Sequence, residues 1–374
     1  MNLILFEVKK TWHMRKTYLF LLLSLLLTLI LFLFNGYLGQ KENLTIDSLA
    51  DSQTGIMGQS HYSDEIDQFL KQTNQEIAAQ EESFRASANK GESLLGELTL
   101  PTYPYYRTKL NNELAKRKIP PQSMRYGTKN TIFLGILFSY LASGLGIVLL
   151  LFLFGDSLTT EIEEQSLYFY FSQPVKRSRL YMTKYVLTWM QSMLVTVGLL
   201  IFGFIVATLF SGKSSFSYPV IVFTEKSMTL IPIIQYIGQV FLVFAFVLAF
   251  CFALHFFVSI LLKKTSFSLV VTVMVLFEGY ILSTMNNDFM RRIAHLNPFT
   301  YLNVSKLFVG YDFRPFALAS IENQEYYANW CLPRTLHNGQ INSLNGMLVL
   351  SLATAIFLIV GCFCIKKNVH RWKI

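Results

Sequence analysis

Runs of apolar residues about twenty long alternate with charged stretches along the chain, and their length identifies them. A helix that crosses a bilayer needs about 20 mostly apolar residues, because hydrocarbon offers no partner to an exposed backbone N–H or C=O. Six stretches qualify: 18–39, 131–155, 185–211, 231–262, 267–285 and 346–365. The fourth is longer than an upright span requires, so it either tilts or begins as an interfacial helix that bends near Gly238, with Pro232 close to its start. The predicted fold class is therefore all-α integral membrane, with six transmembrane helices.

The segments between the spans have patterns of their own. In residues 1–17, Leu3, Ile4, Phe6, Val8 and Trp12 alternate with Glu7, Lys9 and Lys10, which predicts an amphipathic helix on the membrane surface. Residues 40–130 form a polar insertion. Within it Ile66, Phe69, Leu70, Thr73, Ile77, Phe84 and Ala88 recur near the helical period, predicting a helix over 64–89. Ser63 suits its N-cap, and Asp64 and Glu65 its first turn. A second helix over 106–118 is stopped by Pro120 and Pro121. Together they predict a small helical insertion, either packed on the spans or acting as a lid. Residues 286–345 carry an aromatic string over 296–313, in which Phe299, Leu302, Leu307 and Phe308 are expected at the membrane surface, with Lys306 and Arg314 facing water or headgroups. Tyr326, Tyr327 and Trp330 suit an interfacial belt, so the segment reads as interfacial or re-entrant helices.

Basic residues orient the spans. Lys9, Lys10, Arg15 and Lys16 precede the first, and Lys176, Arg177, Arg179 and Lys184 lie in the 156–184 loop. Lys263 and Lys264 follow the fourth span, and Lys366, Lys367, Arg371 and Lys373 lie in the 366–374 tail. Positive charge in short loops marks the cytoplasmic side, so both termini are expected in the cytoplasm and residues 40–130 and 286–345 outside the cell membrane.

Composition sharpens this picture. Only 15% of residues are charged and 52% are hydrophobic, whereas a soluble domain carries about 25% charged residues. The net charge of +9 would also suit nucleic acid, but the lysines and arginines cluster beside the apolar runs. The lipid bilayer is the partner they fit, and no nucleic acid is expected. Three of the four cysteines, Cys251, Cys362 and Cys364, lie in apolar runs, where cysteine behaves as a small hydrophobe; no disulfide framework or metal site is expected.

The loop after the second span carries the strongest local pattern. Glu161, Glu163 and Glu164 come first, then the aromatic block 167–171, then Pro174 and a basic cluster. Acidic residues suit a helix start and proline its end. The aromatic block is too apolar for a solvated loop and too short to span, so it must lie against headgroups or a partner protein. Here Glu161, Glu164, Ser166, Pro174, Val175, Arg177 and Lys184 resemble the ABC-2 type family of transporter permeases, in which a glutamate-rich helix leads into a P-V-x-R element and a lysine opening the third span. The family often has Gly-Thr where this chain has Gln165 and Ser166. The order of spans and surface segments also resembles that family.

The resemblance implies a permease whose 156–184 loop is a coupling helix docked on a separate ATPase. Glu161, Glu163, Glu164, Ser166, Phe169, Pro174 and Arg177 would carry that coupling. The implied assembly is two ABC ATPase subunits with a second permease copy or paralogue. ATP and Mg would belong to the ATPase, leaving this chain without a cofactor, a metal or catalytic residues.

Other apparent chemistry fades on inspection. Residues 207–214 read ATLFSGKS, a permissive P-loop match, but lie at the outer end of a span rather than between a strand and a helix. No zincin motif, nucleophile elbow or convincing triad appears. Asn43 and Asn303 head short N-x-[ST] patterns of the kind that arise by chance. Glu278 and His255 are ionisable residues inside spans, and such residues usually face a protein interior or water. They lie at similar depths, which allows pairing, and both are candidates for a substrate path. The expected function is outward movement of an amphipathic or hydrophobic substrate, such as an antimicrobial peptide, a lipid or a drug. The alternative is ATPase-coupled signalling or mechanotransmission through the outer insertion without transport. An intramembrane enzyme would have only Glu278 and His255 to work with.

Overall fold

The computed structural model describes residues 15–49, 61–89, 102–124, 126–164, 176–224, 227–285, 287–308 and 331–367. The surface helix expected over 1–17 lies almost wholly outside them. In chain order the elements are α1 (Arg15–Leu49), α2 (Asp64–Asn89), α3 (Thr102–Arg117), α4 (Asn130–Leu141), α5 (Gly144–Phe154), α6 (Thr159–Glu163) and α7 (Arg177–Ser211). There follow β1 (Pro219–Phe223), β2 (Met228–Pro232), α8 (Ile233–Leu262), α9 (Thr265–Ser283), α10 (Asp288–Ile293), α11 (Ser305–Phe308), α12 (Leu332–Thr335) and α13 (Ser343–Lys367). Six helices are long and apolar enough to cross a membrane, so the all-α membrane class holds.

The second span is broken. Between α4 and α5, Ser143 turns its hydroxyl onto Tyr140 O (2.6 Å) and its N–H onto the same carbonyl (3.2 Å). That carbonyl is thereby diverted from the regular i→i+4 ladder. The fourth span is one continuous helix with no bend at Gly238, and it starts two residues later than expected. Ile231 and Pro232 belong instead to β2, which pairs antiparallel with β1 from Pro219↔Pro232 to Phe223↔Met228. The β-branched run Val220–Val222 favours the strand, and the prolines sit at its open end, where a missing N–H costs least.

Helix α8 is the axis of the bundle: 67% of its apolar stretch is buried, against 17% for α1, 22% for α9 and 11% for α13. Val243, Phe244, Val247, Phe250, Cys251 and Phe256 are all inaccessible. Leu344, Leu348, Leu352, Ile356, Ile359 and Phe363 of α13 form an exposed apolar stripe, as lipid contact requires. Phe299 stacks edge-on against Phe250 at 5.4 Å. It also lies over Gly279, where a Cβ would stand 2.5 Å from its ring. Leu302, Leu307 and Phe308 are buried too, so these residues do not rest on the membrane surface as the sequence suggested. They pack into the protein because α8 and α9 leave an apolar recess that their side chains fill. Arg314, Tyr326, Tyr327 and Trp330 lie outside the described residues.

One end of the bundle carries a polar layer, here the hairpin face. The helix expected over 64–89 is α2, and Ser63 Oγ accepts from Ile66 N at 3.4 Å. Asn74 exchanges amide bonds with Asn111 and Asn112 (both 2.9 Å), joining α2 to α3. Arg117 Nη1 donates to Ser217 O (2.8 Å), and Tyr218 OH donates to Gln122 O (3.1 Å), tying the insertion to the β-hairpin. Asp67 is held below the usual carboxylate range by Lys71 and by the Tyr62 hydroxyl, whose own proton is pushed up to about 12 by burial and by Asp67.

Candidate functional site

At the opposite end lies an elbow, residues 155–163, between α5 and the loop that the sequence singled out. A 3-10 turn (Gly155–Ser157) leads into α6, and each successive residue group reaches a different span. The elbow is thus bonded to the next three spans, α7, α8 and α9.

The tie to α7 is ionic. Lys184 Nζ donates to Glu161 Oε1 at 2.8 Å, and both side chains are 1% exposed. Beside it, Ser157 Oγ lies 3.0 Å from Thr188 Oγ1, one turn further along α7. Removing two charges from water costs several kcal/mol per ion, so such a pair holds only because each compensates the other. Helix α7 has 35 residues, about 52 Å at 1.5 Å per residue, and so outreaches a core of about 30 Å. Lys184 lies in its third turn, where the helix meets the elbow.

The tie to α8 is His255. Its Nε2 lies 2.9 Å from Gly155 O and its Nδ1 lies 3.0 Å from Thr272 Oγ1 on α9. A carbonyl only accepts, so Nε2 carries a proton toward Gly155 O; Thr272 donates its own hydroxyl proton to Ser268 O (2.7 Å). Ser259 Oγ stands 3.3 Å from the same Nε2. The close approach requires Gly155: a Cβ there would stand 2.9 Å from His255 Nε2 and 3.2 Å from Leu269 Cδ2.

The tie to α9 is Glu163, which accepts from Thr265 N (2.9 Å) and Thr265 Oγ1 (2.7 Å). It therefore caps the start of α9 from another segment, placing negative charge at the positive end of that helix. Replacing Glu163 with alanine is expected to cost about 1 kcal/mol. Glu164 is exposed, and Glu164→Ala should stay within about 0.5 kcal/mol. Thermal denaturation of the two variants in one detergent checks the difference.

The sequence-predicted residues thus separate. Glu161 and His255 are buried struts, Glu163 is a cap, and Glu164 is exposed. Arg177 opens α7 half-buried. Ser166, Phe169 and Pro174 lie outside the described residues. Glu278 does not pair with His255: it is exposed on α9, between exposed Phe277 and half-buried Gly279. Sequence reasoning missed Gly155, Ser157, Thr188, Thr265 and Thr272 as partners of this elbow. Small polar residues near span ends were the one available signal, and it does not say which residue meets which.

The residues 207–214 continue α7 to Ser211 and turn at Gly212 (φ +83°), where Ser214 N donates to Asn130 Oδ1. No strand precedes them, so the amides are not arranged as a phosphate cradle. Among the described residues no group of histidine, cysteine, aspartate and glutamate could hold a metal ion. A family model described as "ABC-2 family transporter protein" matches residues 1–368. No curated protein and no solved structure is similar enough to the chain to count as a match.

Proposed function

The chain belongs to the ABC-2 family of transporter proteins, and from that premise we propose that it is the permease of an exporter driven by separate ATP-hydrolysing subunits. ABC permeases assemble with an ABC ATPase. In this reading two ATPase copies bind a pair of permeases through residues 156–184. ATP and Mg reside in the ATPase. The elbow face carries Lys176, Arg177, Arg179, Lys263 and Lys264, which supports its placement in the cytoplasm of a cell whose plasma membrane holds the protein.

The observation that carries the proposal is the elbow. A push on residues 164–176 reaches α7 through Lys184, α8 through His255 and α9 through Thr265. Three bonded ties convert one displacement into movement of three spans. The two buried ties, Glu161–Lys184 and Gly155–His255, have discrete arrangements rather than a continuum, which suits two-state motion. Glu161 works inside this node, while Glu163, Glu164, Ser166, Phe169, Pro174 and Arg177 lie at or beside the proposed contact.

The route for cargo follows from α9. Glu278 is exposed in the half of that 19-residue span nearer Ser283, while Phe267, Val270, Met274, Phe277 and Ile281 along it are exposed and apolar. An ionisable residue within a span usually faces protein or water, so Glu278 belongs against a second permease copy or water. An apolar cavity of about 200 Å³ lies on the same span, lined by Gly144, Ile147, Val148, Leu276, Phe277 and Tyr280 but not by Glu278. An apolar recess of that kind suits an apolar portion of the cargo.

The test is reconstitution of the permease with its ATPase in vesicles. Glu164→Gln combined with Arg177→Gln is expected to lower permease-dependent ATPase activity about ten-fold while the protein still inserts. Equal activity in variant and wild type would remove the elbow from the mechanism. Glu278→Gln should reduce cargo uptake and leave ATPase docking intact.

A second reading rests on the hairpin face. The insertion is bonded to the α7–α8 connection through Arg117–Ser217 and Tyr218–Gln122, so motion of those spans would move it as a unit. ATP-driven movement of residues 40–130 without cargo transport would favour this mechanotransmission role.

A further inference from the structure

The hairpin face holds a polar cleft that the transport reading does not use. Its volume is about 690 Å³, and its lining includes Arg291, Arg292, Asp288 and the imidazoles of His295 and His337. It lies where α10 follows α9. Helix α9 begins at the elbow and rises about 28 Å over its 19 residues, so α10 stands at the opposite surface of the bilayer.

Both flanks of the cleft are fixed. Asn287 Oδ1 accepts from Phe289 N (3.1 Å) and starts α10. Asn338 Nδ2 donates to Arg291 O (2.7 Å) and lies 3.4 Å from His295 Nδ1, stitching α10 to the turn after α12. That turn holds His337 in the left-handed region (φ +47°), sparsely populated for a residue with a side chain. Tyr301 OH donates to His295 O (2.9 Å), which anchors the floor to the buried re-entrant segment.

The donors inside are under-used. Arg291 Nε is buried and has no acceptor among the described residues. Among the described residues Arg291 pairs with Asp288, whose Oδ1 stands 3.8 Å from Arg291 Nη1 and whose side chain is 91% exposed. An ion pair of that length and exposure contributes little. Among the described residues two guanidiniums therefore share one loosely held carboxylate, with two imidazoles beside them, an arrangement that suits an oxyanion. Phe289 of α10 (64% exposed) and Leu296 of the turn that follows it (62% exposed) present apolar surface on the segment that carries Arg291 and Arg292. That combination sets the cleft at headgroup depth.

We propose that this cleft binds a phosphate group, held by Arg291 and Arg292 with His295 and His337 as further donors, and that a phospholipid headgroup supplies it. The site would fasten the α9–α10 corner to the leaflet surface, next to the span that bears Glu278. The inference depends on the chain spanning a bilayer and not on the direction of transport or on the ATPase.

The test uses the full chain, delipidated in a maltoside detergent, with binding read by native mass spectrometry. Short-chain phosphatidylglycerol should bind, and the matching diacylglycerol, which lacks phosphate, should not. Arg291→Gln with Arg292→Gln is expected to weaken phosphatidylglycerol about ten-fold. Asp288→Asn should leave it equal or tighter, which separates loss of the site from loss of the fold. If inorganic phosphate binds alone as tightly and displaces the lipid, the phosphate site stands but the lipid source is overturned. Unchanged phosphatidylglycerol binding in the double arginine variant, or equal binding of diacylglycerol, overturns the site itself.

Discussion

Lys184→Met is expected to destabilise the protein by about 3–5 kcal/mol, the cost of leaving a buried charge without its partner. The magnitude follows from burial. An exposed ion pair is worth about 0–1 kcal/mol, but Lys184 and Glu161 are each 1% exposed and 2.8 Å apart. Methionine fills the volume of the lysine stem, so packing changes little and the loss falls on the Glu161 carboxylate. In a detergent melt of a chain of 374 residues this corresponds to a fall of roughly 4–6 °C in the midpoint. Glu161→Leu combined with Lys184→Met removes both charges and should recover most of the loss, because apolar replacement of a whole buried pair is often neutral. A Lys184→Met variant that melts with the wild type would show that the pair carries no such weight. If the double variant regains stability yet not permease-dependent ATPase activity, the ionic tie also transmits motion from the elbow to α7.

Gly155→Ala is expected to cost about 2–6 kcal/mol, summing a lost buried hydrogen bond of about 1–3 kcal/mol and overpacking of about 1–3 kcal/mol. The added Cβ would meet His255 Nε2 at 2.9 Å and Cδ2 at 3.0 Å. The ring has nowhere to move, since Thr272 holds its other nitrogen at 3.0 Å and Ser259 stands beside it. The check is a double-mutant cycle. His255→Ala should also destabilise, but combined with Gly155→Ala the methyl enters the space the ring vacates, so the two costs should fall short of their sum. Strict additivity would mean that the glycine and the histidine do not meet.

The two substitutions lie at residues of different legibility. Lys184 was visible as the lysine that opens the third span of a family pattern, although its buried partner was not. His255 was visible as an ionisable residue within a span, and its depth suggested pairing with Glu278. Depth along two helices says nothing about rotation around them. His255 faces inward to Gly155 and Thr272, whereas Glu278 faces outward on α9. Gly155 itself carried no signal, because a glycine matters here only through the ring that approaches it from another span.

Boundaries show the same division. The helix at 64–89 was legible to its ends because a serine cap, acidic first turn and apolar stripe agreed. The β-hairpin was not, since Ile231 and Pro232 continue an apolar run whose hydrophobicity is equally suited to strand or span. The burial of Leu302, Leu307 and Phe308 was hidden for a related reason: an apolar side chain satisfies lipid and protein interior alike.

Local pattern in the chain was enough to mark six stretches long and apolar enough to cross a bilayer, and the helical character of the polar insertion. Run length, charge placement and period are local properties, and water against hydrocarbon sorts them strongly. Only the tertiary structure decided which faces of those spans are buried, that the elbow is bonded to α7, α8 and α9 at once, and that Arg291, Arg292, His295 and His337 share one cleft. Spans apolar all round have no preferred face until neighbouring helices pack against them, and the polar groups that meet lie as far apart in sequence as Gly155 and His255.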